Sequence, residues 1–209
     1  SGIVKWTGLP ADNVGLKLGE LDGSETGRLE ELAQILNDVC PTGTTKNLWG
    51  ERWAKLAINC MANPLAGISG LSSGELGMNS KARKVMIKVA SEVVLVARAQ
   101  NITVEKMGSA NPDIYVDAAE GSNLEEIESQ MIERAENFTD GKPSLLQDVL
   151  KNRRTEVEYL NGLVSELGKT HGVETPFNDR IVSILIGVPV GEFTPNIDNL
   201  NLFDELLGD

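Results

Sequence analysis

The chain has 209 residues, a formal net charge of −12 at pH 7 and 41% hydrophobic residues. This size and apolar content allow one large domain, or one domain with part of another. The negative charge disfavours electrostatic binding to nucleic acid or to an anionic membrane surface, and no apolar run is long enough to span a bilayer. Cys40 and Cys60 lie in or beside apolar helical patterns, which indicates no disulfide framework and predicts a reducing, cytoplasmic setting.

The first part of the chain has the pattern of an incomplete α/β unit. Two short strands are predicted at residues 2–9 and 14–18, and a helix follows them. That helix stops at residues 40–43, after which residues 43–46 allow one more short strand. These elements are too few to close a sheet by themselves, so residues 1–46 are interpreted as the end of a larger α/β domain.

A helix predicted over residues 49–65 carries an apolar stripe. Apolar side chains recur at i, i+4, i+7 and i+11, which is typical of a helix packed against a core. The members of this stripe are Trp49, Trp53, Leu56 and Cys60. We expect the stripe to be buried and the helix to end at Asn63 and Pro64, because the residue before a proline is disfavoured in helical geometry.

A second stripe on the same helix is polar and consists of Lys55, Asn59 and Asn63, which recur every four residues. Small and apolar residues surround it, so the helix has little room for a solvated side. A buried polar side chain without a partner costs roughly 1 to 3 kcal/mol. Two interpretations stay open: Lys55 reaches solvent while the asparagines cap or bridge neighbouring helices, or the stripe faces a polar cleft.

From residue 46 onward the pattern is almost entirely helical. A long helix is predicted from Asn79 or Ser80 to about Gln100, and its wide apolar face predicts burial between other helices. Four bases lie in its first turns, where the helix dipole prefers acids: Lys81, Arg83, Lys84 and Lys88. A solvated basic surface is preferred over a binding site for an anionic partner.

The rest of the chain alternates acidic and apolar segments. Residues 111–140 carry nine acids and one base, and are predicted to form a loop followed by a helix from about residue 122. Further helices are predicted to begin at residue 144, at a capping box formed by Thr155 and Glu158, and at residue 176. The acidic end of the chain is expected to be a loosely packed arm or to be disordered.

Several stretches resemble known chemical motifs but lack a part that each motif requires. Gly168, Lys169 and Thr170 resemble the end of a phosphate-binding loop, but the first glycine is missing and the segment ends a helix. No Gly-x-Gly-x-x-Gly motif follows a predicted strand, which excludes a dinucleotide fingerprint. His171 is the only histidine and precedes a glycine at a helix end, so it is interpreted as a capping residue, and no metal site is predicted.

Two signatures, in order along the chain, resemble one known family. The first reads WAKLAINCMANPL at residues 53–65 and continues with GEL at 74–76. The second reads SLLQD at 144–148, RTEVEYLNG at 154–162 and HGVETPFN at 171–178. Together they resemble the C-terminal helical domain of ketopantoate reductases, which are 2-dehydropantoate 2-reductases.

The resemblance implies a mainly α fold of the ketopantoate reductase C-terminal type, similar to the C-terminal domain of 6-phosphogluconate dehydrogenase. It covers residues 12–187, with an acidic connection that looks longer than usual. The implied organisation is a short α/β remnant of a Rossmann domain at residues 1–46, a helical substrate-binding and catalytic domain at 47–187, and an acidic tail at 188–209.

The family's reaction is the NADPH-dependent reduction of a 2-keto acid, 2-dehydropantoate, to a 2-hydroxy acid, pantoate, in pantothenate and coenzyme A biosynthesis. Lys55 matches the catalytic lysine, which gives a proton to the substrate carbonyl as hydride arrives. Glu156 matches a carboxylate on the cofactor side of the cleft. The positions that match substrate contacts are Asn59, Asn63 and Ser144, and Ser73 stands where some members have an asparagine.

The local sequence patterns are compatible with these roles, but for Glu156 and Ser144 they also allow a simpler, purely structural role. An ammonium group at Lys55 would stabilise the negative charge that develops on a ketone oxygen and supply its proton. Glu156 could be only an acid favoured by a helix N-terminus, and Ser144 only a helix N-cap.

The resemblance leaves two alternatives and one expectation. Because the glycine-rich loop that binds NADPH is missing from the chain, we expect the chain to be inactive alone. One alternative is a reductase of another 2-keto acid. The other is a non-catalytic dimerisation module, a homodimer formed through the apolar face of the helix at residues 79–100.

Overall fold

A computed structural model describes residue 2 and residues 15–137, 141–186 and 192–208. The chain divides into two compact units, residues 1–52 and 53–209. In the ranges described, no helix combines the length and apolarity that crossing a membrane requires.

The first unit contains one parallel strand pair and one helix. Strand β1 is Leu16–Leu18, helix α1 is Gly27–Asn37 and strand β2 is Thr42–Thr44, with Leu16 opposite Thr42 in the register. Thr26 caps α1 by accepting a hydrogen bond from the Leu29 amide at 3.3 Å. The predicted order of strand, helix and strand is therefore confirmed from β1 onward, whereas the strand predicted at residues 2–9 falls almost wholly outside the described residues.

Helix α1 buries only part of its apolar face. Leu29 and Ala33 are buried, but Leu32 is 45%, Ile35 58% and Val39, just after the helix, 71% exposed. Parallel strands are normally covered by other layers on both faces. Within the described residues, the first unit thus has the apolar surface of an α/β domain without the layers that would cover it.

Helix α2 extends over Leu48–Ser69, and Pro64 lies inside it. The prediction that the helix ends at Asn63 and Pro64 is therefore wrong. A proline inside a helix leaves the carbonyl four residues earlier without its amide donor. That carbonyl belongs to Cys60, and it accepts a hydrogen bond from Nδ2 of Asn161 at 3.2 Å instead.

The apolar stripe of α2 is buried as predicted except at its first member. Trp53 and Cys60 are 7% and 0% exposed, and Leu56 is half-buried. Trp49 is 44% exposed, which corrects the expectation for it. Its indole N–H donates to the Leu21 carbonyl at 3.2 Å and the Arg52 guanidinium lies 5.0 Å from the ring centroid, so polar partners hold the ring near the surface.

The second unit is a bundle around one central helix. Helix α4, Ser80–Ala99, packs against four of its neighbours, namely α3, α5, α8 and α9. The helices are α3 Ser73–Met78, α5 Pro112–Ala119, α6 Leu124–Asn137, α7 Ser144–Leu150, α8 Asn161–His171, α9 Pro176–Ile186 and α10 Asp204–Leu207, with 3-10 turns at Val157–Tyr159 and Ile197–Phe203.

The wide apolar face of α4 forms the core of this bundle. Its members are fully buried, namely Val85, Val89, Ala90, Val93, Val94 and Ala97. The prediction that this face lies between other helices is confirmed. Because the face is covered within the chain itself, its use as a dimer interface is ruled out.

The bases in the first turns of α4 have partners within the chain. Lys81 Nζ lies 2.6 Å from a carboxylate oxygen of Asp204, and Arg83 donates to Glu128 at 3.1 Å and to two backbone carbonyls. Lys88 donates to the Ala119 carbonyl at 2.6 Å. For these three residues, neither the predicted solvated surface nor the anion site is found, since they join α4 to neighbouring segments.

Two further predictions of local structure are wrong. Helix α5 occupies residues predicted as a loop, because Asn111 caps it and its inward side chains are apolar. The capping box expected at Thr155 and Glu158 does not form, since Glu158 pairs with Arg154. A capping box is instead found where α3 begins, between Ser72 and Glu75.

The acidic tail is packed over residues 192–208. Leu200 and Phe203 are 2% and 0% exposed, and the Phe203 ring stacks on Phe177 with centroids 6.4 Å apart. Arg180 donates to the Leu202 carbonyl at 2.6 Å. The expectation of a loose arm or disorder is therefore wrong for these residues, because their apolar side chains are buried in the core of the second unit.

Candidate functional site

The polar stripe of α2 presents three side chains that have no partner among the described residues. Lys55 is exposed, and Asn59 and Asn63 are half-buried. Successive members lie about 6 Å apart along the axis, because four residues rise by that distance in a helix. Neither asparagine bridges to a neighbouring helix in the described ranges. The donors and acceptors of the stripe are therefore available to a ligand.

Ser144 and Glu156 lie next to each other at the start of α7 and the turn before α8. The Ser144 hydroxyl donates to a Glu156 carboxylate oxygen at 3.3 Å, and both side chains are exposed. Pro143 occupies the N-cap position of α7, so the simpler interpretation of Ser144 as an N-cap is wrong. Glu156 lies at the start of a three-residue 3-10 turn, where the helix dipole is small.

Ser73 lies close to the segment that leads into α7. Its hydroxyl and its backbone amide both donate to the Gly141 carbonyl, at 3.4 and 3.3 Å. Helix α7 itself packs tightly on α2, because a Cβ placed on Gly67 would lie 2.3 Å from Leu145 Cδ2. Gly67 is one turn beyond Asn63, and Leu145 follows Ser144.

The structure thus brings the predicted residues together to different degrees. Lys55, Asn59 and Asn63 share one helix, and Ser144 contacts Glu156 directly. Ser73 is joined to the segment before α7 through Gly141. No hydrogen bond or ion pair links Lys55 to Ser144 or Glu156 among the described residues.

A buried polar network lies behind α2. None of its residues is among those to which the family resemblance assigns a role. Asn161 and Asn178 are fully buried, and Glu92 is 7% exposed. Asn161 Nδ2 donates to Asn178 Oδ1 at 2.9 Å, and Asn178 Nδ2 donates to a Glu92 carboxylate oxygen at 2.6 Å. Both asparagines fall inside the second matched signature, and Glu92 interrupts an apolar run, so the sequence did carry a signal for all three.

Glu92 also caps helix α9. The backbone amides of Phe177 and Asn178 each donate to its carboxylate at 2.9 Å. Burial raises the pKa of Glu92 to about 7, although these hydrogen bonds act in the opposite direction. The group therefore titrates near neutral pH in the folded chain.

Other candidate sites are weak. In the described ranges, no three His, Cys, Asp or Glu side chains are grouped so that they could hold a metal ion. A cleft of about 560 Å³ lies where α8 ends and α9 begins, lined in part by Lys169, Glu174 and Asp179. It includes none of the predicted site residues, so its size alone gives it no role.

Comparison with known proteins identifies the family. The family model described as ketopantoate reductase PanE/ApbA C terminal matches residues 47–188. A 2-dehydropantoate 2-reductase from Archaeoglobus fulgidus is 29% identical over 175 residues, which cover 83% of this chain and 52% of that protein. The chain spans about half the length of the curated relatives it matches.

Solved structures agree with this assignment. A PanE/ApbA family ketopantoate reductase from Ralstonia eutropha JMP134 matches with a TM-score of 0.61 and 26% identity, over 84% of this chain and 51% of that one. D-mandelate dehydrogenase in complex with NADH matches with a TM-score of 0.63 and 25% identity, over 84% of this chain and 54% of that one. The predicted fold class, mainly helical with a short α/β segment in front, is confirmed. The chain belongs to the family of ketopantoate reductase C-terminal domains.

Proposed function

We propose that this chain is the substrate side of an NADPH-dependent oxidoreductase that reduces a 2-keto acid to a 2-hydroxy acid, with 2-dehydropantoate as substrate and pantoate as product. The observation that carries the proposal is the polar stripe of α2. Its amine and two carboxamides lie inside the family match and have no partners among the described residues. Polar groups held in line without internal partners favour a ligand over a structural role.

Lys55 is the proposed proton donor. Reduction of a ketone places negative charge on its oxygen, and that oxygen must gain a proton to become a hydroxyl. An ammonium group at hydrogen-bond distance stabilises the charge and supplies the proton. The exposure of Lys55 on α2 supports this role, because the side chain is free to reach a ligand beside the helix.

Asn59 and Asn63 are proposed to orient the substrate. Each carboxamide offers two N–H donors and one carbonyl acceptor. Two of them, one and two turns beyond Lys55, would hold the carboxylate and the hydroxyl of the substrate while its keto group faces the lysine. Fixing the substrate in this way lowers the entropic cost of reaching the transition state.

Ser144 and Glu156 are proposed to lie at the border between substrate and cofactor. Glu156 receives one hydrogen bond from Ser144 and is otherwise exposed, so its remaining lone pairs fit a group that bears hydroxyls, as NADPH does. When bound, the nicotinamide supplies the hydride. Ser73, near the same segment, is proposed as a further substrate contact.

The nucleotide phosphates are proposed to bind to a part of the enzyme outside the described residues. In the first unit, at the connection from β1 to α1, the Thr26 hydroxyl and the Arg28 guanidinium both donate to Glu20, so these donors are already engaged by a carboxylate. We also propose the domain boundaries at residues 46 and 187, and that the 209-residue chain does not turn over alone. The uncovered apolar side chains of α1 support an incomplete α/β unit.

A second candidate is a reductase of another 2-keto acid. Two observations favour it: Ser73 departs from the asparagine of some family members, and a solved structure similar to this chain is D-mandelate dehydrogenase. Both candidates use the same proton donor and differ in the side chain of the substrate. The cytoplasmic location, the place in pantothenate biosynthesis and a homodimer stay predictions.

The test is NADPH oxidation by the full-length enzyme with a panel of 2-keto acids. The panel includes 2-dehydropantoate, pyruvate and the 2-keto acid that corresponds to mandelate. A kcat/KM for 2-dehydropantoate about tenfold or more above the others supports the first candidate, a gap equivalent to about 1.4 kcal/mol. A preference for another keto acid supports the second candidate. If none of the keto acids supports NADPH oxidation, both candidates are contradicted. The 209-residue chain, assayed beside it, should show no turnover.

A further inference from the structure

The hydrogen-bond ladder of α2 is interrupted within the polar stripe. Pro64 has no amide hydrogen, so the Cys60 carbonyl loses the donor that a continuous helix would supply. Cys60 follows Asn59 and Pro64 follows Asn63. The interruption therefore falls in the turn of residues 60–64, which carries Asn63 and follows Asn59 directly.

The missing donor is replaced by a side chain from another helix. Nδ2 of Asn161, the first residue of α8, donates to the Cys60 carbonyl at 3.2 Å. Both residues are fully buried, so water does not compete for this carbonyl at the surface. A side-chain bond of this kind ties α2 at its interruption to α8, whereas a backbone bond would tie α2 only to itself.

The orientation of the Asn161 amide is fixed by the residues behind it. Asn178 must direct its NH₂ group at Glu92 and at the Val89 carbonyl, so its Oδ1 faces Asn161 and accepts from it. Asn161 therefore has to present its NH₂ group to two acceptors, Asn178 Oδ1 and the Cys60 carbonyl. A flipped amide would place its oxygen against both acceptors.

We propose that Asn161 is a positioning residue of the reductase site. By donating to the Cys60 carbonyl, it sets the position of the turn that bears Asn63 relative to Lys55 and Asn59. It touches neither substrate nor cofactor and acts through the backbone of α2. The inference rests on the proposed function of the polar stripe.

A rescue experiment on the full-length enzyme tests this role. Asn161→Leu removes the donor at similar size, and Pro64→Ala restores a backbone amide to the Cys60 carbonyl. We expect Asn161→Leu to lower kcat/KM for the keto acid about tenfold or more, with the KM for NADPH unchanged. Adding Pro64→Ala should recover at least about threefold of that loss, because the two donors serve one acceptor.

A matched control is available on the same helix. Ser165 lies one turn beyond Asn161, is buried, and its hydroxyl has no partner in the described part of the chain. Ser165→Ala therefore changes a buried polar group of α8 without touching the Cys60 carbonyl. Its kinetic constants, like those of Pro64→Ala alone, should stay within about threefold of the parent enzyme.

The outcomes separate the two proposals. The positioning role is overturned if Asn161→Leu leaves kcat/KM for the keto acid unchanged, or if it lowers kcat/KM and adding Pro64→Ala recovers none of the loss. In both cases the reductase function stands. If Asn161→Leu does not fold, recovery of soluble, active enzyme in the double variant supports the role, and failure of both variants to fold overturns it. If the parent enzyme fails to oxidise NADPH with every keto acid tested, the proposed function on which the inference rests is itself contradicted.

Discussion

The helical unit contains two polar groups of similar composition and opposite environment. The polar stripe of α2 has one charged side chain and two carboxamides that are exposed or half-buried and have no partners in the described ranges. The network behind it has one ionisable side chain and two carboxamides, namely Glu92, Asn161 and Asn178. These three are buried and joined to four helices by hydrogen bonds.

The two groups differ in whether their donors and acceptors have partners within the described part of the chain. Side chains with such partners are expected to stabilise the fold, and side chains without them are expected to face a ligand. In the network, nearly every donor and acceptor has a partner, the Oδ1 atom of Asn161 being the exception among the described residues. Loss of such a partner leaves a buried group unsatisfied. In the stripe no side chain has a partner among the described residues, so its loss should change ligand binding and chemistry but not folding.

The largest effect is expected at Lys55. Lys55→Ala in the full-length enzyme should lower kcat with the keto acid about 10²- to 10⁴-fold, as for the loss of a positioned general acid. Steady-state NADPH oxidation measures it. Lys169→Ala removes another exposed lysine of the helical unit and serves as the control, which should keep its rate. A Lys55→Ala variant with full rate would place Lys55 outside the chemistry.

The next effect concerns folding of the network. Asn178→Ala should lower the free energy of unfolding of the 209-residue chain by about 2 to 3 kcal/mol, because it removes donors to Glu92 and an acceptor for Asn161. Urea denaturation measures the change. Asn63→Ala is the matched control in the stripe and should change stability by no more than about 0.5 kcal/mol. Equal losses in the two variants would break the distinction between stripe and network.

Titration of Glu92 should make stability depend on pH. Burial raises the pKa of Glu92 from its ordinary value of 4.5 to about 7 in the folded chain. Between these values the folded chain holds a proton that the unfolded chain has lost, so this contribution to stability is complete below pH 4.5 and is lost as the pH rises through 7.

The variant Glu92→Gln isolates this contribution from the other carboxylates. Its stability relative to the parent chain should rise by about 2 to 3 kcal/mol between pH 5 and pH 8, because only the parent titrates at this position. Urea unfolding of both chains at the two pH values measures it. A difference that does not change with pH would show that Glu92 is charged throughout this range.

The smallest effect is expected from a pair of buried serines. Ser165→Ala removes a hydroxyl that has no partner among the described residues, and should leave stability unchanged or raise it by up to about 1 kcal/mol. Ser69→Ala should lower it by about 1 kcal/mol, because that hydroxyl donates to the Leu65 carbonyl at 2.6 Å. Thermal unfolding of both variants measures the two changes. A larger loss of stability in Ser165→Ala than in Ser69→Ala would contradict the hydrogen bonding described for these two hydroxyls.

Most helices follow from the sequence, because their apolar spacing and caps are local signals. The helix at Ser80–Ala99 and its buried face were predictable in this way, as were the two strands of the first unit, but not their pairing. The continuation of α2 past Pro64 was not, because it depends on Asn161, which lies 97 residues away in sequence. The burial of Phe203 against Phe177 likewise depends on a contact between distant segments.

The candidate site was predictable as a pattern but not as an arrangement. The four-residue spacing of Lys55, Asn59 and Asn63 is visible in the sequence, and resemblance supplied their roles. The contact between Ser144 and Glu156 required the fold, since twelve positions and a turn separate them. Residue type alone could not separate the stripe from the network, because both consist of an ionisable residue and two asparagines, and the network residues lie on three different helices.

The proposed function requires that the polar stripe of α2 bind the 2-keto acid. Its most direct test is a crystal structure of the full-length enzyme with oxidised cofactor and the 2-hydroxy acid product. We expect the C2 hydroxyl oxygen of the ligand to lie about 3 Å from Lys55 Nζ, with the amides of Asn59 and Asn63 on its polar groups. A ligand bound away from α2, with these three side chains facing only solvent, would contradict the account.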